Sequence, residues 1–65
     1  SAESAAVIVK VQSPDMVTIH SSDGTLIIIG AGEKILLAAL VDPAWNLKHM
    51  TGMLREIAED VGGTF

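Results

Sequence analysis

Two apolar runs dominate the chain. Residues 25–29 read Thr-Leu-Ile-Ile-Ile and residues 35–41 read Ile-Leu-Leu-Ala-Ala-Leu-Val, with Gly-Ala-Gly-Glu-Lys between them. Neither alternates apolar with polar, so each predicts a strand that carries apolar side chains on both faces. Upstream, Met16-Val17-Thr18-Ile19-His20 does alternate, which is the period of a half-buried strand. Asp23-Gly24, lying between two apolar stretches, predicts a tight hairpin turn, because both residue types tolerate positive φ. Residues 30–34 predict a second hairpin loop of about five residues, with glycines at the left-handed positions.

Asp42-Pro43 ends the third strand. Either Asp42 caps a helix with Pro43 at its first position, or a short connector leads to Asn46 as the cap. Asn46 is preferred, because Leu47, Met50, Leu54, Ile57, Ala58 and Val61 then form one stripe at 3- and 4-residue steps. Met53 widens the stripe, while Lys48, Arg55, Glu56, Glu59 and Asp60 fall mostly away from it. Gly62-Gly63 is expected to stop the helix. The first twelve residues read two ways. Val7, Ile8, Val9 and Val11 are β-branched and favour a strand, whereas Ala2, Ala5, Val9 and Gln12 fall at helical spacing. Ser13-Pro14-Asp15 breaks whatever precedes it. The fold class expected is α+β: a three-stranded antiparallel meander with a C-terminal helix on one face, and the end of a second helix as one option before it. No repeat or low-complexity stretch interrupts residues 1–65, read as one small domain or part of one.

A single helix cannot cover both faces of such a sheet, so the pattern asks for cover from another chain. Length sharpens this. At 65 residues a domain buries only about 60% of the surface its unfolded chain exposes. Apolar residues make up 49% and charged residues 18%, the latter below the usual quarter, and mean hydropathy is +0.48. An apolar patch on a free monomer follows, and such patches mark interaction sites. The longest unbroken apolar run, residues 35–41, is far short of the roughly 18–20 residues that span a bilayer. The start of the chain lacks the basic segment and long apolar core of a signal peptide. No cysteine is present, which excludes disulfides and thiolate zinc sites and fits a reducing cytosol; a cytoplasmic location is expected. The net charge is −4, with Lys10, Lys34, Lys48 and Arg55 scattered, and there is one Trp, one Phe and no Tyr. Neither a basic cluster nor a stacking platform for nucleic acid results.

Candidate chemistry is sparse. Gly30-Ala31-Gly32 has two of the three glycines of a dinucleotide loop, but an apolar strand follows it where a phosphate site needs a helix. His20 and His49 match no metal-ligand spacing with Asp15, Asp23 or Asp42. Ser4, Ser13, Ser21 and Ser22 lie in termini or turns, where serine bonds local backbone, and Glu56, Glu59 and Asp60 read as a solvated helical face. No catalytic, cofactor-binding or metal-binding residue is assigned, and no enzyme is expected. Met50, Met53 and Trp45 are either packing on the sheet of this chain or an adaptable contact surface.

From Met16 onward the chain resembles the C-terminal half of a Roadblock domain, the dynein-light-chain type of module related to longin and profilin-like folds. The resemblance is carried by Ser22-Asp23-Gly24-Thr25-Leu26, the glycine hairpin at residues 30–33, the run of residues 35–41, and Asp42-Pro43-Ala44-Trp45-Asn46-Leu47. The last is similar to the family's Asp-Pro-x-x-Asn-Leu-Gly step into its final helix, with Lys48 standing in place of the glycine. The resemblance implies a five-stranded antiparallel sheet with helices on its faces, of which this chain supplies the last three strands and last helix. It implies that residues 2–12 end a central helix. It also implies a non-catalytic role: a homodimer or hetero-oligomer, joined by an edge strand and a central helix, that regulates or scaffolds a small Ras-like GTPase. The interface so implied comprises Met16, Val17, Ile19 and Ser21 on the edge strand and Ala5, Ile8 and Val9 on the helix. The alternative is a profilin-like domain that senses a small molecule between sheet and helix, with Thr18, His20 and Asn46 as donors.

Overall fold

The computed structural model of the protein describes residues 6–64. Four strands come first: β1 (Ile8–Ser13), β2 (Met16–Ser21), β3 (Gly24–Ala31) and β4 (Ile35–Val41). One helix, α1 (Leu47–Thr64), follows. The strands form one open antiparallel sheet in the order β1-β2-β3-β4, so the fold is α+β with four strands rather than three.

The fourth strand corrects the helical reading of the N-terminal segment. Residues 8–13 pair with β2, Val9 opposite Ile19 and Val11 opposite Val17. The β-branched run finds a pleated surface that suits it, and the helical spacing of Ala5, Val9 and Gln12 is overridden. A shift in register between Val11 and Ser13 bends the end of the strand. A second correction follows from the same pairing. Met16–Ser21 was expected at an edge of the sheet, but β2 lies inside it, and the edges are β1 and β4.

The hairpin at residues 21–24 turns through Ser22 and Asp23, with Ser21 paired to Gly24. The Ser21 hydroxyl accepts a bond from the Asp23 N–H and donates to the Gly24 carbonyl, both at 3.2 Å. Only Gly24 takes positive φ there, at 145°, and a Cβ on it would lie 2.5 Å from the Val41 carbonyl oxygen. No other residue type fits. The second hairpin loop is shorter than expected, because β3 continues through Gly30 and Ala31 and leaves residues 32–34. The Gly30 N–H instead donates to the Asp15 carbonyl at 2.9 Å.

Asn46 is the helix cap. Its Oδ1 accepts from the His49 N–H at 2.9 Å and its carbonyl accepts from the Met50 N–H at 3.0 Å. Asp42 has a separate task, holding the connector as its Oδ1 accepts from the Ala44 N–H at 2.8 Å. Gly62 and Gly63 do not stop the helix, which runs through them to Thr64. Gly62 instead meets the β3–β4 loop, where a Cβ on it would lie 2.7 Å from the Gly32 nitrogen. It serves close approach of two backbones.

The core is built on one face only. Met16, Ile27, Ile29, Ala31, Val41 and Ala58 are buried, flanked by Ile35, Leu37, Leu47, Met50, Leu54 and Val61. The helix packs on β3 and β4; beyond them on that side Met16 and Thr18 of β2 are still buried, while β1 is exposed. Met50 packs on its own sheet, whereas Ile57, expected in the stripe, sits at its margin and is exposed.

Candidate interaction surface

Side chains of antiparallel partners share a face, so register alone composes the side opposite α1. One row across the four strands is Val9, Ile19, Leu26 and Leu40; the next is Val11, Val17, Ile28 and Ala38. Leu36, opposite Gly30, extends the surface along β4. No charged residue stands in either row. Nothing among the described residues covers this face: Val9, Val11, Leu36 and Leu40 keep between 60% and 75% of their surface in solvent.

The alternation in β1 and β2 sorts their side chains between the two faces. In β1, Val9 and Val11 point to it while Lys10 lies on the helix side opposite Thr18. In β2, Val17 and Ile19 point to it, whereas Thr18 and His20 take the helix side with Ile27 and Thr25. An alternating strand turns its apolar set toward the buried face. Apart from Ile8 and Met16 on the helix side, both strands turn their apolar residues to the open face. Full burial of a Val, Leu or Ile side chain is worth about 1.5–3 kcal/mol, so covering the four most exposed residues contributes about 4–8 kcal/mol. That is comparable to the whole stability of a small domain, about 5–15 kcal/mol.

The expected interface residues are divided by the structure. Val9, Val17 and Ile19 share the open face, with Ser21 at its end. Ile8 lies on the helix side opposite His20, Met16 is buried in the core, and Ala5 falls outside the described residues. Leu26, Ile28, Leu36, Ala38 and Leu40 share the open face and were not named with them. The signal for them was present in the lack of alternation in residues 25–41.

The half of the helix side formed by β1 and β2 has a different character. Gln12 Nε2 donates to Thr18 Oγ1 at 3.1 Å, Thr18 Oγ1 shares a bond with His20 Nε2 at 2.8 Å, and His20 Nδ1 with Thr25 Oγ1 at 3.1 Å. Thr18 is buried, and among the described residues no buried side-chain polar atom lacks a partner. This ladder floors a shallow cleft of about 570 Å³ whose helix wall includes Lys48 and Arg55. Thr18 and His20 meet there as expected. Asn46 does not line this cleft; its side chain is committed to the helix cap.

Comparison with protein-family models, with curated proteins and with solved structures gives no match to this chain. No helix among the described residues is long and apolar enough to cross a membrane.

Proposed function

We propose that this chain is a non-catalytic assembly module, and that its open sheet face is the surface on which the assembly is built. The observation that carries the reading is the phase of alternation in β1 and β2, which directs Val9, Val11, Val17 and Ile19 away from the chain's own helix. The finer assignment, regulating or scaffolding a Ras-like GTPase from the cytoplasm, is supported by the Roadblock-like order of Asp23-Gly24, the residue 30–33 hairpin and the Asp42-Pro43 step into α1. β1 departs from that family pattern, which has a helix before its last three strands.

An isolated chain with this face uncovered self-associates. At micromolar concentration, sedimentation or light scattering is expected to report a dimer or larger species. Val9→Lys combined with Val11→Lys places two charges on the face and is expected to lower the assembly mass while circular dichroism is unchanged. A wild-type chain that is well folded, monomeric and silent toward a hydrophobic dye at those concentrations would remove the reading.

The second reading, a small-molecule sensor, is favoured by one feature: the Gln12–Thr18–His20–Thr25 ladder beside Lys48 and Arg55, which places donors and two cations around one cleft. It requires a ligand, anionic by this lining, that raises the melting temperature with concentration.

A further inference from the structure

We infer that β4 is the edge through which two copies of this chain join, by two-fold antiparallel pairing that continues the sheet. The inference rests on the assembly reading and names the partner and the strand.

The two edges of the sheet are unlike. Free strand edges in soluble proteins are commonly blunted by charge, proline, bulges or shortness. β1 carries Lys10 and an irregular register between Val11 and Ser13, and Pro14 follows it directly. β4 reads Ile-Leu-Leu-Ala-Ala-Leu-Val, seven residues with none of these devices inside the strand; Lys34 and Asp42-Pro43 flank it, and it pairs with β3 in unbroken register. It offers a regular ladder of about seven free hydrogen-bonding groups on its outer side.

A second observation lies on the helix. Trp45, Met53 and Ile57 keep between 46% and 57% of their surface in solvent. All three line a cleft of about 180 Å³ between α1 and β4, with Leu40 and Val41 on the strand side. They form an apolar shoulder directly above the undefended edge. A two-fold axis normal to the sheet keeps both helices on one side, so each shoulder, set beside residues 39–41, lies on the helix side of the junction toward residues 35–37 of the partner subunit. Centred on Ala38, the pairing sets Leu36 against Leu40 of the partner subunit on the opposite face. Taking roughly 200 Å² for a large side chain, the three shoulder residues with Leu36 and Leu40 present up to about 600 Å² per copy. The pair then buries up to about 1,200 Å², the lower bound of stable interfaces, to which the ladder adds direction.

The chain has no cysteine, so Ala38→Cys reports the junction directly. Residues facing one another across such a pair sit about 4.5–5.5 Å apart at Cα, within disulfide range. Mild oxidation is expected to give a covalent dimer of Ala38→Cys. Met53→Lys combined with Ile57→Lys alters only exposed positions and is expected to weaken association about 10-fold or more, with circular dichroism unchanged. If this double variant keeps the wild-type assembly mass and Ala38→Cys stays monomeric on oxidation, the β4 junction is overturned. In that event, a loss of mass in the Val9→Lys, Val11→Lys variant leaves the assembly reading standing, whereas wild-type mass there removes both.

Discussion

Three glycines sit in α1, and the structure gives the same substitution opposite consequences at two of them. Gly52 is exposed in the middle of the helix, and a Cβ there meets nothing within 4 Å. Gly52→Ala therefore keeps the full gain of replacing glycine in a helix interior, about 1 kcal/mol. For a domain of this size that is roughly 4–8 °C in melting temperature. Gly62, in the last turn, has a smaller intrinsic gain of about 0.5 kcal/mol, and its Cβ would stand 2.7 Å from the Gly32 nitrogen and 3.1 Å from the Ala31 carbonyl carbon. Both are backbone atoms of the β3–β4 hairpin and have no rotamer to yield. Relief requires the helix end to retreat by roughly 0.7 Å, and gaps of about that size forfeit a quarter to a half of each contact they open. The contacts at risk include those of Ala58 and Val61 with the sheet. Overpacking of this kind costs about 1–3 kcal/mol. Gly62→Ala is thus expected to lie at least about 1 kcal/mol below Gly52→Ala in stability. Gly63, whose Cβ also meets open space, supplies the control for position near the helix end, with a gain of about 0.5 kcal/mol for Gly63→Ala. Thermal and urea unfolding of the three variants decides the matter. A Gly62→Ala protein as stable as Gly52→Ala would refute the close helix–hairpin contact.

Asn46→Ala is expected to lose about 1 kcal/mol, since the His49 N–H then has no side-chain acceptor; circular dichroism melts should show it. Ile27→Ala, at a fully buried position, should cost about 2–5 kcal/mol. Leu40→Ala, at an exposed one on the neighbouring strand, should change the stability of the dilute monomer by no more than about 0.5 kcal/mol. Urea unfolding below the concentration of self-association separates the two.

Where local chemistry decided the outcome, the residues were legible. The Asn46 cap and the strands on either side of the first hairpin follow from side-chain geometry that needs no tertiary information; the turn itself falls one residue earlier than expected, on Ser22 and Asp23, because Gly24 pairs with Ser21 and lies against the Val41 carbonyl. The helix end was misread because Gly62 is selected by a contact with Gly32, thirty positions away in the chain, and not by a left-handed turn. β1 was ambiguous because its β-branched content and its helical spacing point in different directions, and only pairing with β2 breaks the tie. That pairing also moved Met16–Ser21 from the edge to the interior. The apolar character of a second face was visible in residues 25–41. Which residues of β1 and β2 share that face was not, because it depends on register.

Register is also where the functional argument is strongest. β3 is apolar on both faces, so sliding β2 by one residue against it would leave β3 equally content. The slip would turn Val17 and Ile19 toward the side of α1 and Thr18 and His20 toward water. For a chain meant to stand alone, that arrangement is the cheaper one. The observed phase instead buries Thr18 and requires Gln12 and His20 to satisfy its hydroxyl. It is held by Met16 in the core, by the Ser21–Gly24 turn, and by the Gly30 N–H bond to the Asp15 carbonyl. On the proposed assembly reading, the cost of that choice is recovered when Val9, Val11, Val17 and Ile19 leave water together with the apolar residues of β3 and β4. Under that proposal the sheet is half of a core, and the register of its strands leaves the other half to a second surface.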